Sequence, residues 1–412
     1  MKPFLRLFAC AWLYLAASSL LFACSGVQAA SLPTPALPSA SASTQPVSRL
    51  PTATPFIFQL KPSSTPLPSP TPFSPEFQQG YGPDNFPPQV NPLTGLEVSD
   101  PGLLERRPLA IKVTNFFRSV RPQWGLSQAD NVFEYYLEDG MTRFIAIFYG
   151  NDADRVGPIR SARFFDEHIA RMYHAYLTFS GADPRVINPW LESDLKPFLV
   201  IPRPDNCPPL CRIGPDWNYN TMFANTQQLS EYVQDWSAGN QRQNLDGLRF
   251  DPYAPYSDET GEVLSVFYSR VSYNKWEYDP FTGRYVRFQE EADAEGDQEF
   301  YAPLNDSASG QQLAADNVIV LLVPHEYFIH TTTTEMVKMN FFGQGQAYAF
   351  REGKLHRVTW MRNAPDQLIS LHLANGRDYP LKPGTVFFQV IGASSEVTTG
   401  YTGAWRFTFK IP

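Results

Sequence analysis

The globular part of this 412-residue chain is predicted to have an α+β fold, with a mixed α/β domain followed by a mainly β domain. Three observations predict this class. Strand and helix patterns alternate in the first half, short strand patterns separated by turn residues fill the second half, and about 320 residues are enough for two domains. We therefore place an N-terminal α/β domain at residues 90–255 and a C-terminal β-rich domain at residues 256–412.

In the first half, alternating apolar residues predict strands, and spacings of three and four predict helices. Asp139-Gly140 is a preferred two-residue hairpin turn, and Ser161 and Thr226 are plausible helix caps. The expected elements are a strand at Leu109–Thr114, a hairpin of Asn131–Glu138 with Thr142–Tyr149, a helix from Ser161 to about Tyr173, a strand at Tyr176–Phe179 and a helix at Thr226–Trp236.

The second half carries short strand patterns separated by Gly, Pro, Asp or Asn, which favour a barrel or a sandwich-like sheet. Residues 278–285 and 351–354 are expected to be hairpin connections. The strand patterns are Val263–Val271, Tyr273–Tyr278, Arg284–Phe288, Asn317–Val323, Gln346–Arg351, Leu355–Trp360 and Thr385–Ile391.

The N-terminus has the form of a secretory signal. Lys2 and Arg6 precede an apolar run, and Leu21-Phe22-Ala23-Cys24 is similar to the lipobox of bacterial lipoproteins, in which the cysteine is acylated after cleavage. We therefore expect residues 1–23 to be removed and Cys24 to carry lipid. The alternatives are plain secretion with cleavage after Ala29 or Ala30, and an uncleaved anchor. The apolar run is near the lower limit of about 17–25 residues for a membrane span.

Residues 24–89 are predicted to be a tether. From Ser31 to Gly80, 27 of 50 residues are Pro, Ser or Thr, a composition that cannot form a core. Proline-rich segments of this kind are extended, so the tether would hold the globular part away from the membrane.

Cysteine usage agrees with an extracytoplasmic location. Cys10 lies in the predicted signal, which leaves only Cys207 and Cys211 in the globular part once Cys24 is acylated. A lone close pair in an oxidising compartment is expected to form a disulfide. Free thiols, or a redox or metal role, are the alternatives, although the three-residue spacing differs from that of thioredoxin-like centres.

The charge of the chain gives no reason to expect a nucleic-acid partner. Its formal net charge is −8, and removal of Lys2 and Arg6 with the signal makes it −10. No basic cluster is concentrated enough to override this average.

The predicted hairpin places several charged residues together. With Asp139-Gly140 as the loop, Glu134, Tyr136, Glu138 and Arg143 would share one face. Arg160 and Arg163 would lie at the start of the following helix, where anions are favoured. The opposite face would be core, formed by Phe133, Tyr135, Leu137, Phe144 and Phe148.

Three interpretations of this Glu/Arg cluster remain open. It is an ion-pair network that orients the helix on the sheet, a binding site for a carboxylate, phosphate or acidic glycan, or a catalytic site. For catalysis, Glu134 and Glu138 could divide acid and base roles as in glycoside hydrolases. Neighbouring arginines would lower the pKa values of both carboxyl groups, which suits a nucleophile better than an acid.

Signatures of metal or nucleophilic chemistry are weak, and we expect no metal and no cofactor. His325 and His330 are five residues apart in an apparently extended segment, so they would point to opposite faces. The aromatic residues Trp217, Trp276 and Trp360 offer a sugar-stacking platform, but core packing is the more common use of such residues in strands.

A set of ordered motifs resembles the YerB-type bacterial lipoprotein family, which has two domains and no known reaction. Arg121 and Gln123, in the second motif, are added to the ligand-binding candidates. One departure is Tyr219, where the resemblance implies a histidine. The motifs are Arg107–Ile111, Arg121–Asp130, Gly140–Phe144 and Gly157–Arg163 in the first half, and Asp316–Val320, Gly343–Ala347 and Leu381–Thr385 in the second.

The sequence therefore predicts a lipid-anchored protein on the extracytoplasmic face of the cell membrane. Our first hypothesis is a non-enzymatic module that binds a cell-wall component or an envelope protein. The alternative is a cell-wall hydrolase or transferase that uses the Glu/Arg cluster.

Overall fold

A computed structural model describes residues 80–215, 218–401 and 403–412. The predicted signal, Cys24, Trp217 and nearly all of the tether lie outside these residues. None of the helices among the described residues has the length and apolar character of a membrane span.

The described part of the first half contains eight strands and three helices. The helices are α1 Phe165–Met172, α2 Pro184–Leu191 and α3 Thr226–Tyr232, and short 3-10 turns lie at Pro101–Glu105, Arg118–Val120, Leu126–Gln128 and Lys196–Phe198. The strands are β1 Leu109–Thr114, β2 Asn131–Tyr136, β3 Thr142–Phe148, β4 Tyr176–Thr178, β5 Leu199–Val200, β6 Leu210–Arg212, β7 Met222–Ala224 and β8 Arg249–Phe250.

The described part of the second half contains strands only. They are β9 Val263–Ser269, β10 Ser272–Asp279, β11 Arg284–Glu290, β12 Tyr301–Pro303, β13 Ala314–Ala315, β14 Asn317–Val323, β15 His325–His330, β16 Glu335–Met339, β17 Gly343–Arg351, β18 Lys354–Arg362, β19 Ser370–His372, β20 Pro380–Leu381, β21 Val386–Gly392, β22 Glu396–Thr399 and β23 Ala404–Thr408.

Strands from both halves form one ten-stranded sheet in the order β19-β18-β17-β14-β21-β2-β3-β1-β4-β5. The junction is the parallel pair of β2 and β21, in which Phe133 lies beside Phe388. The rings of these two residues stack with their centroids 4.3 Å apart. The two halves of the sequence therefore share a hydrogen-bonded core.

A seven-stranded sheet covers one face of the ten-stranded sheet. Its order is β12-β11-β10-β9-β23-β22, with β13 paired to β11. Smaller two-stranded pairs are β15 with β16, β8 with β20 and β6 with β7. The second half is thus mainly β, as predicted, but its strands are divided between two sheets and do not form a separate barrel.

Both faces of the ten-stranded sheet are buried. Phe133 and Ile145 pack on the side of α1 and α2, whereas Phe144 and Phe148 pack against the seven-stranded sheet around Trp276. Every residue of β1, β2 and β3 is buried as a result. The fold has three layers, with α1 and α2 on one side of the central sheet and the second sheet, together with α3, on the other.

Several local predictions are confirmed. The strands at Leu109–Thr114 and Asn317–Val323 have the predicted bounds. The two hairpin connections in the second half form as expected. Cys207 and Cys211 are bridged, with their Cα atoms 4.7 Å apart.

The helix ends differ from the prediction. Helix α1 begins at Phe165, not after Ser161, and its N-cap Phe164 accepts no capping hydrogen bond. The segment before it stays extended because the backbone of Ala162 donates to the carbonyl of Gly181 over 2.8 Å. Helix α3 begins at Thr226, but its cap is Asn225, whose side chain accepts from the backbone of Gln228.

The predicted register of the β2–β3 hairpin is wrong by one residue. Leu137 pairs with Met141, so the loop has three residues, Glu138 to Gly140, and not two. Asp139 and Gly140 in this loop both have positive φ, a conformation that Gly adopts readily and Asp tolerates. A register shift of one residue changes which side chains of the two strands share a face. Arg143 therefore lies opposite Tyr135 and not opposite Tyr136.

The predicted boundary between residues 255 and 256 remains a prediction. All described residues belong to one compact unit, and the shared sheet joins the two halves of the sequence. A separation into independently folding domains is therefore not visible in the strand order.

Replacement of Gly140 by Ala tests the packing of the β2–β3 turn against Ser269. Gly140 has φ +78°, and a Cβ atom there would lie 2.7 Å from the Ser269 hydroxyl. Gly376 has a similar φ of +80°, but a Cβ atom there would have no other atom within 4 Å. We expect Gly376→Ala to lower the free energy of unfolding by about 1–2 kcal/mol and Gly140→Ala to lower it by at least about 1 kcal/mol more. Urea denaturation measures both, and equal losses would contradict the described turn.

Candidate functional site

Glu134 lies on the face of β2 that the seven-stranded sheet covers. Its carboxylate accepts hydrogen bonds from Asn115 (3.1 Å), Thr142 (2.8 Å), Asn274 (3.1 Å) and Arg287 (2.7 Å). The side chains of Glu134 and Arg287 are both fully buried. This ion pair joins the two sheets and leaves no open cleft at Glu134.

Arg121 and Gln123 extend this internal network. Arg121 donates to a carboxylate oxygen of Glu290 over 2.6 Å and to the carbonyl of Asn115, and Gln123 donates to the carbonyl of Thr114 over 3.1 Å. Burial raises the pKa of Glu290, while Arg121 opposes that rise. We call the buried polar residues between the sheets the inter-sheet network, namely Asn115, Arg121, Gln123, Glu134, Thr142, Asn274, Arg287 and Glu290.

Tyr136 shares the face of Glu134 but lies at the end of β2. Its hydroxyl donates to Glu335 of β16 over 2.8 Å, and the other oxygen of Glu335 accepts from the backbone of Asp139 over 3.2 Å. Burial raises the pKa of Tyr136. Tyr136 therefore fixes the β15–β16 hairpin to the end of β2.

The remaining charged candidates lie on the opposite face, toward α1. Arg163 immediately precedes α1 and binds the Glu138 carboxylate with two guanidinium N–H groups, one of them over 2.7 Å. Arg143 of β3 and Arg160 of the extended segment lie beside it, and burial, followed by repulsion from Arg163, lowers the pKa of each. We call Arg143, Arg160 and Arg163 the arginine cluster. The predicted single face of Glu134, Tyr136, Glu138 and Arg143 is thus divided between two sides of the sheet.

A buried triad that the sequence analysis missed lies beneath the arginine cluster. Lys112 of β1 donates to Asp166 of α1 over 3.1 Å and also to the hydroxyl of Tyr135, which itself donates to Asp166 over 2.5 Å. Burial lowers the pKa of Lys112 to about 7, Asp166 opposes this shift, and Arg143 and Arg163 reinforce it. The sequence feature that could have predicted this triad is a lysine within an apolar strand. If such a strand is covered on both faces, the lysine needs a partner inside the protein.

Two members of the arginine cluster have no carboxylate partner among the described residues. Arg143 is only 8% exposed, and its guanidinium donates to the carbonyl of Ser161 over 2.5 Å. Burial, followed by repulsion from Arg163, lowers its pKa to about 10. Arg160 donates to the side-chain oxygen of Asn220 over 3.1 Å. The cluster and its surroundings hold more cationic groups than carboxylates.

The disulfide lies on an element that adjoins this surface. Cys211 is in β6, and β6 pairs with β7. The carbonyl of Met222, in β7, accepts from the backbone of Ile159 over 2.7 Å, directly before Arg160. The bridged loop is therefore connected to the segment that carries two members of the arginine cluster.

The histidines of β15 have separate environments. The Nδ1 of His325 contacts the carbonyl of Val323 at 2.7 Å, and burial lowers the pKa of His325 to about 4. His330 is exposed and stacks on Tyr327 at a centroid distance of 4.0 Å. Among residues that the structure describes, no group of three or more His, Cys, Asp or Glu side chains is arranged to hold a metal ion.

Comparison with known proteins identifies similar sequences and a similar fold. Residues 93–236 match the N-terminal domain, and residues 264–388 the C-terminal domain, of the protein of unknown function DUF3048. A curated relative, "Putative lipoprotein YerB" of Bacillus subtilis (strain 168), is 39% identical over 107 residues, which are 26% of this chain and 32% of that protein. The alignment thus spans about a third of the relative's length. The crystal structure of the YerB protein from Bacillus subtilis superimposes on this chain with a TM-score of 0.59 and 22% sequence identity. The match covers 73% of this chain and 96% of that chain, so the two proteins share a fold.

Truncation of Glu134 tests whether the inter-sheet network is structural. Glu134→Ala leaves the buried Arg287 without its counter-ion, so we expect the free energy of unfolding to fall by about 3–5 kcal/mol. The matched control is Glu396→Ala, because Glu396 pairs with Lys410 and its side chain is 54% exposed. An exposed pair of this kind contributes little to stability, because water and salt screen it. Similar losses in both variants, measured by chemical denaturation, would refute the structural role of Glu134.

Proposed function

Since this chain belongs to the YerB-type family and carries both DUF3048 domains, we propose that it is an envelope lipoprotein that binds an anionic cell-wall polymer. The arginine cluster is the proposed contact surface. The recognised groups are the phosphates or carboxylates of the polymer.

One observation carries this proposal, namely that Arg143 is almost completely buried without a carboxylate partner in the described part of the chain. A guanidinium out of water without a counter-ion is costly, and an anionic ligand removes that cost. Arg160 adds a second guanidinium without a carboxylate partner. Planar guanidinium groups bind phosphate and carboxylate oxygens in pairs, which gives geometric selectivity as well as affinity.

The proposed location follows from the N-terminus and from the relative. The relative is named a lipoprotein, and Leu21-Phe22-Ala23-Cys24 supplies a cysteine at the position that lipidation requires. In this proposal the lipid on Cys24 holds the protein to the membrane, on the extracytoplasmic face, and residues 24–89 allow the globular part to reach the wall. An acidic envelope protein is the alternative partner for the same surface.

The hydrolase alternative has less support. Glu134 and Glu138 lie on different sides of the central sheet, and each is engaged by an arginine. Glu134 is fully buried, so a substrate could reach it only if the two sheets separated. A pair of carboxylates on opposite sides of one bond, as glycoside hydrolysis requires, is therefore not formed by these residues.

Substitution in the arginine cluster tests the proposed binding. We expect Arg143→Gln together with Arg160→Gln to weaken binding to polyphosphate and to purified cell walls by about tenfold or more, because each charge-assisted contact contributes about 1.5–3 kcal/mol. Sedimentation with cell walls and calorimetry with polyphosphate measure the loss.

The matched control is Arg377→Gln, which removes the same charge from an exposed loop and should leave binding unchanged. Cell walls stripped of phosphate polymers separate phosphate recognition from recognition of wall carboxylates. Equal binding by the double variant and the control would contradict the proposal, and retention of an acidic envelope protein without retention of cell walls would favour the alternative partner.

The pH dependence of polyphosphate binding tests the contribution of Lys112. Its pKa of about 7 means that Lys112 is protonated at pH 6 and largely neutral at pH 8, where the Asp166 carboxylate loses its counter-ion near Arg143 and Arg163. We therefore expect affinity to fall by about threefold to tenfold from pH 6 to pH 8. His168, whose pKa is lowered to about 4 by burial, does not titrate in this range.

Lys112→Met serves as the control for this experiment, because its affinity should no longer change between pH 6 and pH 8. Its fold is checked by thermal unfolding before binding is measured. An affinity of the unmodified chain that is constant or rises with pH would exclude the expected effect of Lys112.

A further inference from the structure

A groove of about 690 Å³ lies between α1, α2 and the β15–β16 hairpin. This volume is within the range of about 300–1,000 Å³ that small-molecule sites occupy. The groove is separate from the inter-sheet network, and it begins where the arginine cluster ends, because Phe164 on its wall follows Arg163 in the chain. None of the ligand-binding candidates derived from the sequence lies on its wall.

Aromatic rings form much of the wall of the groove. Phe328 of β15 is 42% exposed and Phe342, just before β17, is 38% exposed. The Lys338 ammonium lies over the ring of Phe328, 4.0 Å from the centroid, and the Arg362 guanidinium lies over Phe342 at 4.6 Å. Each ring is therefore contacted by a cation, and the exposed part of each ring is available to a ligand.

Charged and amide groups accompany these rings. Glu326 and Lys338 lie opposite each other on the two strands of the hairpin, and neither forms an ion pair with any described residue. Asn340, at the end of the hairpin, and Glu167 of α1 also line the groove. The groove thus combines apolar ring surface with donors and acceptors around it.

We propose that this groove binds a sugar residue of a glycan chain. A pyranose ring has apolar C–H faces and a rim of hydroxyl groups, so it matches exposed ring faces that are bordered by a carboxylate, an ammonium and an amide. An apolar peptide side chain would instead leave Glu326 and Lys338 desolvated without partners. The inference goes beyond the arginine cluster, since it assigns a second site that does not require an anionic ligand.

The β15–β16 hairpin is held in position for such a contact. Glu335 accepts from Tyr136 and from the backbone of Asp139, and the ring of Phe328 meets Phe164 edge to face at a centroid distance of 5.0 Å. On the other wall, the indole of Trp190 donates to Glu167 over 2.9 Å. The walls of the groove are therefore fixed in advance, which lowers the entropic cost of binding.

Calorimetry of the whole chain in detergent with chitotetraose, a neutral oligosaccharide, tests the inference. We expect Phe328→Ala together with Phe342→Ala to weaken chitotetraose binding by about tenfold. Both rings are partly exposed, so the double variant should keep its fold, which thermal unfolding checks. Phe281→Ala is the matched control, because Phe281 is 98% exposed in a distant turn.

Parallel titrations with polyphosphate keep the two sites distinguishable. The groove variant should bind polyphosphate normally, and Arg143→Gln with Arg160→Gln should bind chitotetraose normally. No binding of chitotetraose to the unmodified chain, or unchanged binding in the groove variant, would overturn the glycan site without affecting the arginine cluster. Loss of an apolar peptide ligand in the groove variant, with chitotetraose binding retained, would also overturn it and assign the groove to protein partners.

Discussion

Burial of both faces of the ten-stranded sheet is the constraint on which the rest of this structure depends. Strand β2 lies inside that sheet, between β3 of the first half and β21 of the second. Polar side chains on such a strand must find partners within the protein, since water cannot reach them. Glu134 accepts a hydrogen bond from Arg287 of the second sheet. On the side of α1, the Tyr135 hydroxyl accepts from Lys112 and donates to Asp166. Each layer of the fold therefore supplies partners for the central strands.

The same constraint separates two groups of charges that are close in sequence. Successive side chains on a strand point to opposite faces, so Glu134 enters the inter-sheet network while Glu138, beyond the end of β2, meets Arg163 beside α1. The carboxylates of the first group are enclosed and paired with arginines. The second group has more cations than carboxylates and lies near the surface. This difference in charge balance makes the arginine cluster the better candidate for recognition of an anion.

The second half of the sequence also shapes the surface beside α1. Hairpin β15–β16 belongs to neither large sheet, and Glu335 fixes it to the end of β2. Phe328 of this hairpin then lies on the groove wall together with residues of α1 and α2. A surface composed of the arginine cluster and this groove would combine recognition of charge with recognition of sugar rings, which are the two features of an anionic wall polymer.

The sequence by itself determined the positions of many of the longer strands, the close cysteine pair and the family, because these depend on local periodicity, spacing and ordered motifs. Leu109–Thr114 and Asn317–Val323 were predicted with their observed bounds. Only the tertiary structure decided which side chains of β2 and β3 share a face of the sheet. The same sequence is compatible with a two-residue turn, but the observed loop also includes Glu138, and this extra residue exchanges the faces on which the side chains of the paired strand lie. The tertiary structure also decided that β2 pairs with β21, which lies some 250 residues later in the chain. Contacts between distant segments leave no local sequence pattern. The roles of Arg287 and Asp166 as partners of the central strands could therefore be identified only from the packing of the layers in the tertiary structure.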